Sequence, residues 1–324
     1  MRIVFMGTPD FAVPSLDALL HSEDTVVGVV TQPDRPKGRG HAVVPSPIKL
    51  VCQREGLPLL QPLKMKDPAF LEALGAWQPD LIAVAAFGRI LPPVILEMPP
   101  HGCVNVHGSL LPKYRGAGPI QWAILNGEQE TGITTMSMDA GMDTGAILLQ
   151  ERVTVEPDDT AGSLSVKLAQ VGGRLLMETI RRLKGGSIVP RAQDHSQATM
   201  APLLQKEDGL IDWSLPAMAI ANRVRGLSPW PGAYTFAGEE RWTLCRASAE
   251  SGDVRRSGDS QPGAIMHVNK DSLLVATGNG LLMITELKPA NSRRMSIHDY
   301  LAGHPVRPGL ILGPGPAAST QRSG

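Results

Sequence analysis

Along the first half of the chain, unbroken apolar runs alternate with stretches whose apolar residues recur at helical spacing. Ile3 to Met6, Val26 to Val30, Leu81 to Ala86 and Cys103 to Val106 are short apolar runs broken by little polar alternation. Runs of this kind read as strands buried on both faces, and their alternation with helices predicts a parallel sheet covered on both sides. After the first run, Thr8-Pro9-Asp10 reads as a helix start: a capping hydroxyl, a proline at the first helical position and an acid at the positive helix end. Phe11, Leu16, Leu19 and Leu20 continue that helix. Thr131 to Ser137 and Ala146 to Val155 predict two more strands around a tight glycine-containing loop. Ser163 to Leu183 carries Leu164, Leu168, Val171, Leu175, Leu176 and Ile180 at helical spacing and stops at Gly185-Gly186.

The pattern changes from about Glu207. A short helical piece from Met218 to Arg225 precedes five strands: Ala233 to Phe236, Trp242 to Arg246, Gly263 to Val268, Leu273 to Ala276 and Leu281 to Leu287. Short strands separated by turn residues predict a small β-barrel. The expected division is an α/β domain over 1–190, a polar aperiodic linker over 191–206, a barrel over 207–311 and a disordered Pro/Gly-rich tail over 312–324.

Composition narrows the classes. With 324 residues, 42% of them hydrophobic, the chain can build two cored domains. A net charge of 0 removes any global basic field, so nucleic-acid contact would need a local patch. Cys52, Cys103 and Cys245 are odd in number and widely spaced, which fits a reducing compartment rather than a disulfide framework. The N-terminal apolar run is too short for a signal-peptide core, and no run approaches a membrane span. A cytoplasmic protein is expected. The first strand leads into Gly7-Thr8-Pro9-Asp10-Phe11, not G-x-G-x-x-G, so the sheet is Rossmann-like without an NAD site.

Chemistry concentrates at Asn105-Val106-His107-Gly108-Ser109-Leu110-Leu111-Pro112. Alternate strand residues share a face, so Asn105 and His107 point together at the strand end, where open sheets hold ligands. An amide can stabilise an oxyanion and an imidazole can move a proton. A buried pair satisfying loop backbone is the other reading of the same residues. A metal reading of His101, Cys103 and His107 lacks zinc-type spacing. Asp139 and Asp143 lie in Met138 to Gly145, where a carboxylate either supports the histidine or closes its own turn. Arg35, Lys37, Arg39 and nearby Lys49 make the loop after Val30 the one dense basic segment, suited to phosphates or simply solvated. Phe87-Gly88-Arg89-Ile90-Leu91 leaves the third strand as an apolar turn that either walls a pocket or packs internally.

Taken together, these segments resemble the folate-dependent formyltransferases. Met6 to Phe11, Gln32 to Pro36 with Gly38-Arg39-Gly40, Asn105 to Pro112, Tyr114-Arg115-Gly116-Ala117 and Asp139 to Gly145 are similar to that family in order and over nearly the whole chain. The basic loop, Ile211-Asp212-Trp213 and Ser228-Pro229-Trp230-Pro231 resemble its methionyl-tRNA branch. The resemblance implies 10-formyltetrahydrofolate as formyl-donor cosubstrate, no metal, and the amino group of initiator methionyl-tRNA as acceptor. It implies catalysis by Asn105, His107 and Asp143. Folate contacts are implied at Ser109, Leu110, Leu111 and Pro112, and at Phe87, Gly88, Arg89, Ile90 and Leu91. Arg35, Lys37 and Arg39 would contact tRNA, and an OB-like C-terminal domain would hold it. A monomer without membrane association is expected. The alternatives are a formyltransferase acting on an amino sugar nucleotide and a catalytically silent nucleic-acid-binding protein.

Overall fold

The structure is a computed structural model that describes residues 1–37, 42–250 and 261–315; for 35–37 and 42–43 only the backbone is described. The chain divides into two compact units. The first comprises Met1–Pro119, Glu130–Thr154 and Ser163–Pro202, the second Ile120–Gln129, Val155–Gly162 and the chain from Leu203.

In the first unit the strands are β1 (Arg2–Gly7), β2 (Thr25–Val30), β3 (Arg35–Lys37), β4 (Ala42–Val44), β5 (Leu59–Leu60), β6 (Leu81–Ala85), β7 (Cys103–His107), β8 (Glu130–Ser137) and β9 (Ile147–Thr154). Between them lie α1 (Val13–Leu20), α2 (Pro47–Glu55), α3 (Pro68–Ala76) and α4 (Pro93–Leu96). Helix α5 (Pro119–Leu125), which precedes β8 in the chain, belongs from Ile120 to the second unit, and α6 (Ala161–Lys184) follows β9. The main sheet has the order β5-β2-β1-β6-β7-β8-β9. Strands β5 to β7 in that order are parallel, whereas β8 and β9 run antiparallel. The parallel sheet expected from the apolar runs is therefore mixed. Apolar continuity marks burial on both faces, and it does not set the direction of the partner strand.

Chain order reverses about β1: β2 and β5 extend one way, β6 and β7 the other. Crevices at such reversals open at the carboxyl ends of the strands. Beneath them Val4, Met6, Val30, Phe70, Leu74, Ile82, Val84, Ile95 and Cys103 form one buried cluster. Thr8 does not cap α1. The short helical turn Asp10–Ala12 starts after Pro9 with no side-chain cap, and α1 begins at Val13. The Thr8 hydroxyl instead donates to Phe87 O (3.4 Å) and accepts from Gln32 N–H, which ties the ends of β1, β2 and β6 together.

At the opposite end of the sheet, Asp24 anchors the C-terminus of α6. Burial alone would raise its carboxyl. Hydrogen bonds from Lys184 (2.5 Å) and the N-terminal ammonium (2.7 Å) outweigh burial and hold it below the ordinary carboxylate range. A carboxyl depressed in the folded state adds stability above its unfolded value of about 3.9, and that contribution is lost as pH falls through the folded value. Asp24→Asn should cost about 1 kcal/mol at neutral pH and flatten the acid limb of stability, read by urea melts between about pH 3 and pH 7. Equal acid sensitivity in the two proteins would remove Asp24 from this account.

The second unit adds α7 (Ala217–Gly226), β10 (Ala233–Ala237), β11 (Glu240–Ala249), β12 (Ile265–Val268), β13 (Leu273–Ala276), β14 (Leu281–Pro289), β15 (Met295–Ser296), α8 (Ile297–Gly303) and β16 (Leu312–Gly313). The sheet β12-β13-β14-β11-β10-β16 is antiparallel and curls into a half-barrel. Strand β11 shows why: Trp242 and Leu244 are buried while their neighbours are not, so one face of the strand closes over Ile220, Val224, Ile284, Leu287 and Tyr300. The tail expected from residue 312 begins as a strand, since Leu312 and Gly313 pair with β10; residues 316–324 lie outside the described residues.

Candidate active site

Strand β7 lies between β6 and β8, with Asn105 registered against Val84 and Met136, and His107 against Thr134. The alternation expected from sequence holds: Asn105 and His107 occupy one face of β7, with His107 at its carboxyl end, one strand (β6) removed from the chain reversal at β1. Their situations differ. His107 is buried, whereas Asn105 is part exposed, and among the described residues its amide has no hydrogen-bond partner. An amide left open beside a buried imidazole is available to a ligand.

His107 is held from both sides. Its Nε2 lies 2.9 Å from Tyr114 O, and its Nδ1 lies 3.7 Å from Asp143 Oδ2. A carbonyl only accepts, so the Tyr114 contact assigns the proton to Nε2 and leaves Nδ1 as the nitrogen that can gain or lose one. Asp143 sits where that charge would appear. Its Oδ2 also accepts the Gly116 N–H at 2.8 Å, which fixes the carboxylate against the Tyr114–Gly116 segment. Asp139 takes the other reading offered by the sequence: its Oδ1 accepts from Gly141 N–H (3.0 Å) and the Thr144 hydroxyl (2.6 Å), so it closes the turn.

The turn is tightly built. Asp143 has φ +53, a left-handed conformation that aspartate tolerates better than most residues. At Gly145 an added Cβ would stand 1.7 Å from Ser137 O, so main chain passes where a side chain would be. Gly145→Ala should cost more than about 3 kcal/mol and lower melting temperature and turnover together. A stable, active alanine variant would show that the turn can be displaced at no loss.

The segment after His107 is internally satisfied. Ser109 is fully buried and donates to Lys113 O (2.6 Å); Leu111 N–H donates to Thr134 Oγ1, which donates in turn to Ser109 O. Leu111 packs on Met136 and Ile147, whereas Leu110 and Pro112 are part exposed. In the turn after β6, Phe87 and Leu91 belong to the buried cluster beneath the sheet, Gly88 and Ile90 are exposed, and Arg89 donates to Leu63 O (2.7 Å). Gln32 Nε2 donates to Phe87 O at 2.8 Å and so fixes that turn.

The basic loop is not a plain loop. Arg35 and Lys37 lie on β3, which forms a hairpin with β4. Arg39 lies outside the described residues, and the side chains of Arg35 and Lys37 are likewise not described. Lys49 is occupied by Asp34 at 2.5 Å, an ion pair that holds the Asp34 carboxyl below its ordinary range. Of the metal-type residues, Cys103 donates to Ile95 O, and burial pushes its thiol up to about 12. Among the described residues no group of three or more His, Cys, Asp or Glu is placed to hold a metal ion.

Arg115, marked in the sequence only as part of a family motif, and Gln193 and Thr199, to which the sequence reading gave no role, surround the Asp143 turn. Arg115 is 6% exposed and donates through Nε (3.1 Å) and Nη2 (2.6 Å) to Gln193 Oε1. Gln193 Nε2 donates to Asp143 O and Gly145 O. Thr199 accepts from Tyr114 N–H through its hydroxyl and from Arg115 N–H through its carbonyl. Gln193 and Thr199 come from the stretch expected to be a linker, which lacks periodicity because it holds only isolated bridges, Arg191 to Ile147 and Met200 to Arg115, around one short 3-10 turn at His195–Gln197.

A Rossmann-like sheet thus carries an open amide and a buried imidazole on one strand, with a carboxylate from the loop after β8 facing the imidazole. The chain belongs to the formyl transferase family and is a formyl-transferring enzyme: residues 1–180 match Formyl transferase, and residues 203–305 match Formyl transferase, C-terminal domain. It is 51% identical over 312 residues to the methionyl-tRNA formyltransferase of Desulfotalea psychrophila, covering 96% of this chain and 95% of that one. It is also 51% identical to that of Trichlorobacter lovleyi, covering 97% of each. Among solved structures, the fold is similar to an N-formyltransferase from Helicobacter canadensis (TM-score 0.67, 18% identity, 88% of this chain and 98% of that one). It is similar as well to the methionyl-tRNA formyltransferase from Clostridium thermocellum (TM-score 0.54, 20% identity, 78% and 95%). Among the described residues no helix is long and apolar enough to cross a membrane.

Proposed function

We propose that this chain transfers the formyl group of 10-formyltetrahydrofolate to the amino group of methionine on initiator methionyl-tRNA, in translation initiation. The observation that carries this reading is 51% identity sustained over 96% of the chain, through both family domains, to a protein named for that reaction. The neutral amine attacks the formyl carbon, a C–N bond forms, and the carbonyl oxygen becomes an oxyanion. The open Asn105 amide donates to it. His107 Nδ1 takes the proton shed by the attacking amine and returns it to the departing folate nitrogen as the old C–N bond breaks. Asp143 Oδ2 stands 3.7 Å from that nitrogen while it carries the proton. Tyr114 O keeps the ring oriented throughout.

The donor would lie across the carboxyl edge of β1, β6 and β7, with Leu110, Pro112, Gly88 and Ile90 offering accessible surface. Ser109, Leu111, Phe87 and Leu91 would support it from below. Arg35, Lys37 and Arg39 on the hairpin, with the curled second unit, would contact tRNA phosphates, and the chain would act as a monomer in the cytoplasm. The test is direct: the protein with 10-formyltetrahydrofolate and methionyl-tRNA should yield formylmethionyl-tRNA. Formylation of a dTDP-amino sugar with methionyl-tRNA left untouched would replace this reading with the sugar-nucleotide one.

A further inference from the structure

We propose that Gln193 is a positioning residue for formyl transfer, a role that rests on the reaction proposed above. The residue is 6% exposed, and its carboxamide is used at both ends. Nε2 donates to Asp143 O at 2.8 Å and to Gly145 O at 2.7 Å, while Oε1 accepts both Arg115 contacts, at 3.1 and 2.6 Å. The two carbonyls flank Thr144, so one NH2 group clasps the turn that carries Asp143. That turn gains from an outside hold, because Asp143 adopts a left-handed backbone conformation, φ +53, that L-residues rarely occupy.

The other end of the amide reaches the segment that orients the imidazole. Arg115 stands between Tyr114, whose carbonyl takes the His107 Nε2–H, and Gly116, whose N–H holds Asp143 Oδ2. Gln193 thus joins the loop bearing the carboxylate to the loop bearing the ring's anchor, and sets the 3.7 Å approach of Asp143 to His107 Nδ1. The residue type matters. If holding the buried Arg115 were the whole task, glutamate would do it with a full charge. Among the described residues no carboxylate pairs with Arg115, whose Nη2 also meets His195 Nδ1 at 3.0 Å. Only an amide both accepts from a guanidinium and donates to two carbonyls.

Gln193→Glu separates the two tasks, since it keeps volume and the Arg115 partner but removes the donors to the turn. Because the Asp143 and Gly145 carbonyls lose their donor, its melting temperature should fall, but by less than in Gln193→Ala, which also loses the Arg115 partner; its kcat should fall about 10- to 100-fold, and KM for both substrates should stay within about twofold. Gln193→Ala should show the same fall in kcat with lower stability. Because the role acts through Asp143, adding Gln193→Glu to Asp143→Asn should cost less than about threefold more. Three results would each overturn the role: unchanged kcat in Gln193→Glu, a loss carried by KM, or losses that multiply in full in the double variant. The wild type in the same assay separates the two levels of inference. If it transfers no formyl group, the proposed reaction fails and this role with it; if it does, the variants judge Gln193 alone.

Discussion

Asn105→Ala should lower kcat by about 10²–10³-fold, the usual consequence of removing one oxyanion donor, while the melting temperature barely moves. Both halves of this expectation come from the same feature. The Asn105 amide has no hydrogen-bond partner among the described residues, so its removal orphans nothing and should change stability by no more than about 0.5 kcal/mol. An amide that only served the fold would do the reverse, costing stability and leaving turnover alone. Asn105→Asp sharpens the test. It keeps the shape, replaces a donor with an acceptor, and sets a negative charge where the oxyanion would develop, so it should be no better than alanine. Steady-state kinetics beside a thermal melt decides the matter, and near-wild-type turnover in either variant would take Asn105 out of the chemistry.

The shared face of Asn105 and His107 was legible because strand alternation is a local rule, and β7 obeys it. The same holds for the buried strands β1, β2 and β6, whose apolar runs need no knowledge of their partners. What the sequence did not reveal was set by distant parts of the chain. The antiparallel direction of β8 depends on how the segment between 108 and 129 returns, and no residue in β8 encodes it. Thr8 reads as a cap by its place before Pro9, yet its hydroxyl is drawn to Phe87 O, 79 residues away. Asp139 and Asp143 are alike in type and share one loop; only their partners, Gly141 and Thr144 for one, Gly116 and His107 for the other, tell them apart. Gln193 left no local signal, because its four contacts reach residues 48 to 78 positions earlier.

His107 should be the most sensitive position of all, with His107→Ala losing about 10²–10⁴-fold in kcat because its imidazole, on the same face of β7 as Asn105, is the group assigned to take and return the proton. Alanine also does structural damage: it leaves the buried Tyr114 carbonyl without its Nε2–H partner, a loss of about 1–3 kcal/mol. Two effects in one variant would blur the conclusion, so His107→Gln is the better probe. A glutamine NH2 can donate to Tyr114 O as the imidazole does, which should recover most of the stability, yet an amide does not exchange protons in this range. If catalysis needs proton transfer, the glutamine variant should fold like the wild type and turn over no faster than the alanine one. If His107 only held the Tyr114–Gly116 segment in place, glutamine should restore turnover along with stability. Melting temperature and kcat measured on both variants therefore separate a proton carrier from a strut, and recovery of turnover in the glutamine protein would mean that the imidazole has no part in the reaction.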